Sequence, residues 1–146
     1  MTDDFRDLLS APIDTFEAPV QPPPGVYKAI IERSEFLKSA QKGTNFVRFH
    51  LRLSEAVEVD DTETLEKVDN LSDVSTKIDF YLTKNAMFRL RNLLESAIPD
   101  AKGRSAEDLI QELNGMEMLA TMANQPNKKD PANPYLNCVK LVGIDN

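Results

Sequence analysis

Between Asn45 and Leu53 the chain reads Asn-Phe-Val-Arg-Phe-His-Leu-Arg-Leu, and no other stretch restricts its folding so tightly. Side chains leave a β-strand on opposite faces at alternate residues, so alternation sustained over this length specifies a strand with one buried side. Val47, Phe49, Leu51 and Leu53 make up the face that must meet a core. The other face carries Phe46, Arg48, His50 and Arg52, which places two guanidiniums, an imidazole and an exposed phenyl ring together in a chain of formal net charge −7. Rings offer stacking surface to unpaired bases while cations follow the phosphates, so this mixture suits a single-stranded nucleic acid. A solvated edge strand, or a strand covered by another segment, would carry the same alternation.

At 146 residues the chain is long enough to bury a core without metal or disulfide, and one domain with tails is expected. A lone Cys138 and a lone His50 leave no cluster suited to structural zinc and no intrachain disulfide. The opening Met1-Thr2-Asp3-Asp4-Phe5 is acidic where a secretory leader is basic, and no apolar run reaches membrane-spanning length, so a soluble, cytoplasmic protein is expected. The acidity is local. Residues 1–17 and 54–73 together hold 13 of the 24 acids but only 2 of the 17 bases, which leaves the rest of the chain at +4. A basic binding face beside acidic appendages is therefore open to it.

Residues 1–24 pair a short amphipathic piece containing Phe5, Leu8 and Leu9 with the run Pro22-Pro23-Pro24, and read as an acidic, proline-rich flexible tail. Phe5, Leu8 and Leu9 are its candidate docking residues for a partner protein. The expected domain occupies 25–146. Its first strand runs from Val26 to about Phe36, with Tyr27, Ala29 and Ile31 on one face. A polar hairpin loop with Lys38 and Lys42 leads into the second strand, Phe46 to about Val57. The acidic stretch 54–73 reads as a long loop, or a short helix around Thr62 to Val68. Its carboxylates lack the glycine and the ligand spacing of a calcium loop, so no metal site is expected. Alternation returns from Thr76 to Leu82, with Lys77, Asp79 and Tyr81 opposite Ile78, Phe80 and Leu82.

A helical connection spans 83–114. Thr83 can cap a helix in which Met87, Leu90, Leu94 and Ala97 recur at core spacing until Pro99, and Ser105 with Asp108 begins a second that ends at Asn114-Gly115. Glu117 to Ala123 forms a fourth strand, Asn124 to Pro134 a loop carrying Lys128 and Lys129, and Tyr135 to Ile144 a fifth strand.

The order β-β-β-α(α)-β-β predicts a mainly β fold with a helical insertion, a five-stranded OB-fold (Greek-key) barrel. Such a barrel binds oligonucleotides on its second and third strands and on the loops joining strands one to two and four to five. The residues this selects are Phe46, Arg48, His50, Arg52, Lys77 and Tyr81 on the sheet, and Lys38, Lys42, Lys128 and Lys129 in the loops, with Phe36 and Tyr135 as further rings. The segments Pro24-Gly25-Val26-Tyr27-Lys28-Ala29-Ile30-Ile31, Lys42-Gly43-Thr44-Asn45-Phe46-Val47 and Asp79-Phe80-Tyr81-Leu82-Thr83 resemble phage-encoded OB-fold proteins of the single-stranded-DNA-binding class, over roughly residues 20–145. The resemblance implies sequestration of single-stranded DNA in phage replication or recombination. It departs from the bacterial members in its C-terminal residues, Val142-Gly143-Ile144-Asp145-Asn146, which lack an acidic tail with a terminal phenylalanine.

No catalytic arrangement is legible. His50 has no nearby nucleophile, Cys138 alternates with apolar residues, and no glycine-rich phosphate loop is present, so neither an enzyme nor a cofactor is expected. The expected partner is single-stranded DNA, or RNA, with a replication protein and self-association as further partners and no membrane. The competing reading is a phage accessory or virion protein-interaction module built on a similar barrel.

Overall fold

A computed structural model describes residues 20–126, 128–129 and 135–144. It is mainly β: one antiparallel sheet of five strands, with a few short helices. The strands are β1 (Gly25–Lys38), β2 (Asn45–Val59), β3 (Ser75–Tyr81), β4 (Glu117–Gln125) and β5 (Tyr135–Gly143), in the spatial order β3-β2-β1-β4-β5. Between β2 and β3 lie α1 (Thr62–Glu66) and a 3-10 turn, Leu71–Asp73, and between β3 and β4 lie α2 (Met87–Ala97) and α3 (Ala106–Glu112). The two outermost strands, β3 and β5, approach each other, which gives the sheet a barrel-like curl. Among the described residues no helix is long and apolar enough to cross a membrane.

The alternation that defines β2 is obeyed closely on its inner side. Val47, Phe49, Leu51 and Leu53 are fully buried together with Tyr27, Ala29 and Ile31 of β1, and the Phe49 and Phe80 rings meet edge to face at 5.7 Å. From α2, Leu90, Leu93 and Leu94 close the core, and Leu109, Ile110 and Leu113 join them around α3. Ser105 caps α3 by accepting from the Asp108 amide, so the helix begins where a hydroxyl can satisfy an otherwise unpaired N–H. At its other end Gly115, with φ of +87°, turns the chain into β4 while its N–H donates to the Ile31 carbonyl. Gly143 at the end of β5 serves close approach instead: a Cβ there would lie 2.4 Å from the Ser96 carbonyl oxygen.

Several expected boundaries move. β2 runs two residues past the expected Val57, to Val59, so the first six residues of the acidic stretch 54–73 belong to the strand. Beyond it, Asp61 caps α1 by accepting from the Thr64 amide, and Asn70 caps the 3-10 turn by accepting from the Ser72 amide, so these polar side chains organise backbone. Pro22 and Pro23 are buried, and the Tyr27 hydroxyl donates to the Pro23 carbonyl, so the packed body begins at these prolines and not at Gly25. Met87 is exposed, because the buried stripe of α2 starts one turn later at Leu90. The Thr83 hydroxyl accepts from the Ala86 amide, in the turn that precedes α2.

Two bulges decide which side chains of β1 and β5 face outward. In β1 the register with β2 slips between Ile31 and Arg33, which exchanges the faces of all later residues of that strand. In β5 the slip falls at Val139, so Cys138 and Leu141, three apart, are both buried while Val139 is pushed outward. Burial also drives the Cys138 thiol up to about 12, leaving it protonated and inert at neutral pH.

Candidate nucleic-acid interface

The outward side of β1, β2 and β3 is organised in rows of residues directly opposite one another. At the end nearest the β1–β2 hairpin the row is Leu37, Phe46 and Tyr81, followed by Glu35, Arg48 and Asp79, then Arg33, His50 and Lys77. A fourth row holds Ile30, Arg52 and Ser75. Residues in such rows touch across the strands, so each row has its own chemistry.

The first row is apolar and self-covering. Phe46 was expected to be exposed, but only 7% of it is accessible: the Tyr81 ring packs against it at 5.3 Å, and the Arg48 guanidinium lies 5.4 Å above its centre. A ring sheltered in this way cannot stack on a base without rearrangement. Tyr81, at 44% exposure, is the ring this row presents to solvent. In the second row Arg48 lies between two carboxylates and grips Asp79 with Nε at 2.8 Å from one oxygen and Nη2 at 3.1 Å from the other. The Asp79 hydrogen bonds raise the guanidinium's pKa above its already high range, and its charge is thereby committed within the protein.

The third row is wholly basic. His50 Nε2 donates to the Glu35 carboxylate, which also receives Arg33 at 3.4 Å. The hydrogen bond from His50, followed by the Arg33 charge, holds Glu35 below the usual carboxylate range despite some desolvation. Lys77 is exposed and makes no ion pair among the described residues, and the same is true of Arg52 in the fourth row. The expected basic side chains thus divide: Arg48 and His50 are engaged by acids from neighbouring strands, whereas Arg52 and Lys77 remain directed at solvent.

The hairpin lysines Lys38 and Lys42 are exposed beside the first row, with the turn held by the Gly43 amide donating to Ser39. Lys128 and Lys129 are exposed on the β4–β5 connection. Phe36 does not belong to this face. The β1 bulge places it opposite Val47, on the inner side, where it stands 56% exposed at the rim of a hollow shared with Leu82, Met87 and Ile110. Tyr135 begins β5 opposite Gln125, and its side chain lies outside the described residues, as do Phe5, Leu8 and Leu9. Of the residues that sequence reasoning left out, Asp79 was visible as a neighbour of Lys77 and Tyr81 at strand spacing, but Arg33 and Glu35 reach this face only through a bulge that has no sequence signature. Among the described residues no group of three or more His, Cys, Asp and Glu side chains could hold a metal ion. No family model matches the chain, and no curated protein is similar to it.

Proposed function

We propose that this protein is a non-catalytic binder of single-stranded DNA built on an OB-fold, acting in the host cytoplasm to protect or organise single strands during phage replication or recombination. The observation that carries this reading is that Arg52 and Lys77 stand exposed on the outer face without an ion pair among the described residues, in a chain that is acidic overall, with the exposed Tyr81 ring and the hairpin lysines at the other end of the same face. Unpartnered cations and an accessible ring on one face are what a flexible strand requires, since its phosphates seek charge and its bases seek a flat apolar surface. The OB-fold assignment draws on β1 pairing with both β2 and β4, on the helical connection between β3 and β4, and on the nearness of β3 to β5. Three consecutive strands with a fourth returning beside the first is the Greek-key order, and strands two and three carry the proposed face.

One feature favours the second reading, a protein-interaction module. Phe36 and Met87 stand exposed around the hollow over Leu82 and Ile110, on the side away from the basic rows. A salt titration on a fluorescent oligonucleotide separates the two. A binder of single strands loses affinity with a log–log slope of about −0.7 for each phosphate neutralised. An adaptor for proteins alone does not bind the oligonucleotide.

A further inference from the structure

The free edges of β3 and β5 face each other without a ladder, and the crevice between them is cationic. Two hollows of about 370 and 320 Å³ share Ile78, Arg89 and Val139. Lys77 lies in one and Lys140 in the other, so three basic side chains line the crevice. Arg89 projects from the first turn of α2 over the Phe80 ring, 5.6 Å from its centre, and none of the three makes an ion pair among the described residues. The acid present, Asp79, is already held by both arms of Arg48. The charge in the crevice is therefore uncompensated, although acids outnumber bases in the chain.

Three further features suit an extended polyanion. Neither facing edge spends its outward backbone N–H groups on a ladder, and such groups hydrogen-bond phosphate oxygens readily. Asn137, Gln125 and Asn92 add neutral amides to the walls. The β5 bulge turns Val139 outward next to Arg89, which supplies an apolar patch for a sugar or base. Lys77 belongs both to the basic row of the outer face and to this crevice, so the two surfaces are continuous around the edge of β3.

We infer that a bound single strand does not end at the outer face but turns over the β3 edge into the β3–β5 crevice, where Arg89 and Lys140 hold backbone phosphates. This rests on the proposed single-strand binding and extends it to a second segment of the path. The test is a salt titration of labelled oligothymidylate with wild type, Arg89→Gln, Lys140→Gln, the double variant, and Arg52→Gln as the marker of the outer face. Each crevice substitution is expected to flatten the log–log slope by about 0.7, and the double variant by about 1.4. Lys140→Gln touches no ring, so it decides the matter should Arg89→Gln fail to fold. If Arg52→Gln flattens the slope while Lys140→Gln and a folded Arg89→Gln titrate like wild type, the crevice assignment is wrong and outer-face binding stands. Absence of wild-type binding overturns both. Polyglutamate displacing the oligonucleotide as well as unlabelled oligothymidylate of equal charge would assign the crevice to an acidic polypeptide and overturn the phosphate assignment.

Discussion

Two halves of the same sheet face, built from the same kinds of residue, have opposite fates. Near the hairpin, Phe46 is roofed by Tyr81 and Arg48, and Arg48 is bound by Asp79, so ring and cation are satisfied within the protein. Further along, Arg52 lies between Ile30 and Ser75, and Lys77 stands in a row of bases, where no carboxylate is opposite them. The difference arises from which residues the neighbouring strands bring across, and alternation within one strand is silent about that. Composition of a face is thus a poor guide to its availability: a guanidinium contributes to an anion site in proportion to the charge its neighbours leave uncompensated.

The sharpest way to break this comparison is to remove the sheltered ring. Phe46→Ala is expected to destabilise the fold by about 3 kcal/mol, since it empties a buried site and uncovers Tyr81. Urea denaturation measures it, and wild-type stability would mean that the ring is a free platform after all. Arg48→Ala should cost less, about 1 kcal/mol, because the pair is about a quarter exposed and water partly screens it. The same variant should leave the salt slope of oligonucleotide binding unchanged, and a flattened slope would return Arg48 to the set of phosphate contacts.

The smallest expected effect is in acid. Glu35 titrates below its unfolded range, so the stability from its contacts with His50 and Arg33 is complete only at pH well above the unfolded value of about 4.5, and is lost as pH falls from there through the lower folded value. Denaturation midpoints between neutral pH and pH 3 should therefore fall more steeply in wild type than in Glu35→Gln. Parallel curves would show that the Glu35 contacts contribute no pH-dependent stability.

Much of the fold could be read locally. The inner positions of β2, the Leu90–Leu94 spacing of α2 and the Ser105 cap each depend on neighbours a few residues away, and each is where periodicity places it. What could not be read was non-local. Glu35 and Asp79 reach Arg48 from other strands, and the bulge at Glu32 carries Phe36 to the inner side and Glu35 to the outer one. No residue in 31–36 announces that bulge. The same holds for Val139, whose outward turn depends on the pairing of β5 with β4. The candidate site was thus legible as a face, whereas its division into satisfied and unsatisfied halves required the register.

The central claim is that the uncompensated cations of this face, and not the paired ones, bind single strands. Salt titrations of a labelled oligonucleotide with wild type, Arg52→Gln/Lys77→Gln and Arg48→Gln test it most directly. Wild type should bind with a steep negative slope, the double variant should flatten it by about 1.4, and Arg48→Gln should keep the wild-type slope. Equal flattening by Arg48→Gln and the double variant, or wild-type behaviour in the double variant, would contradict the account.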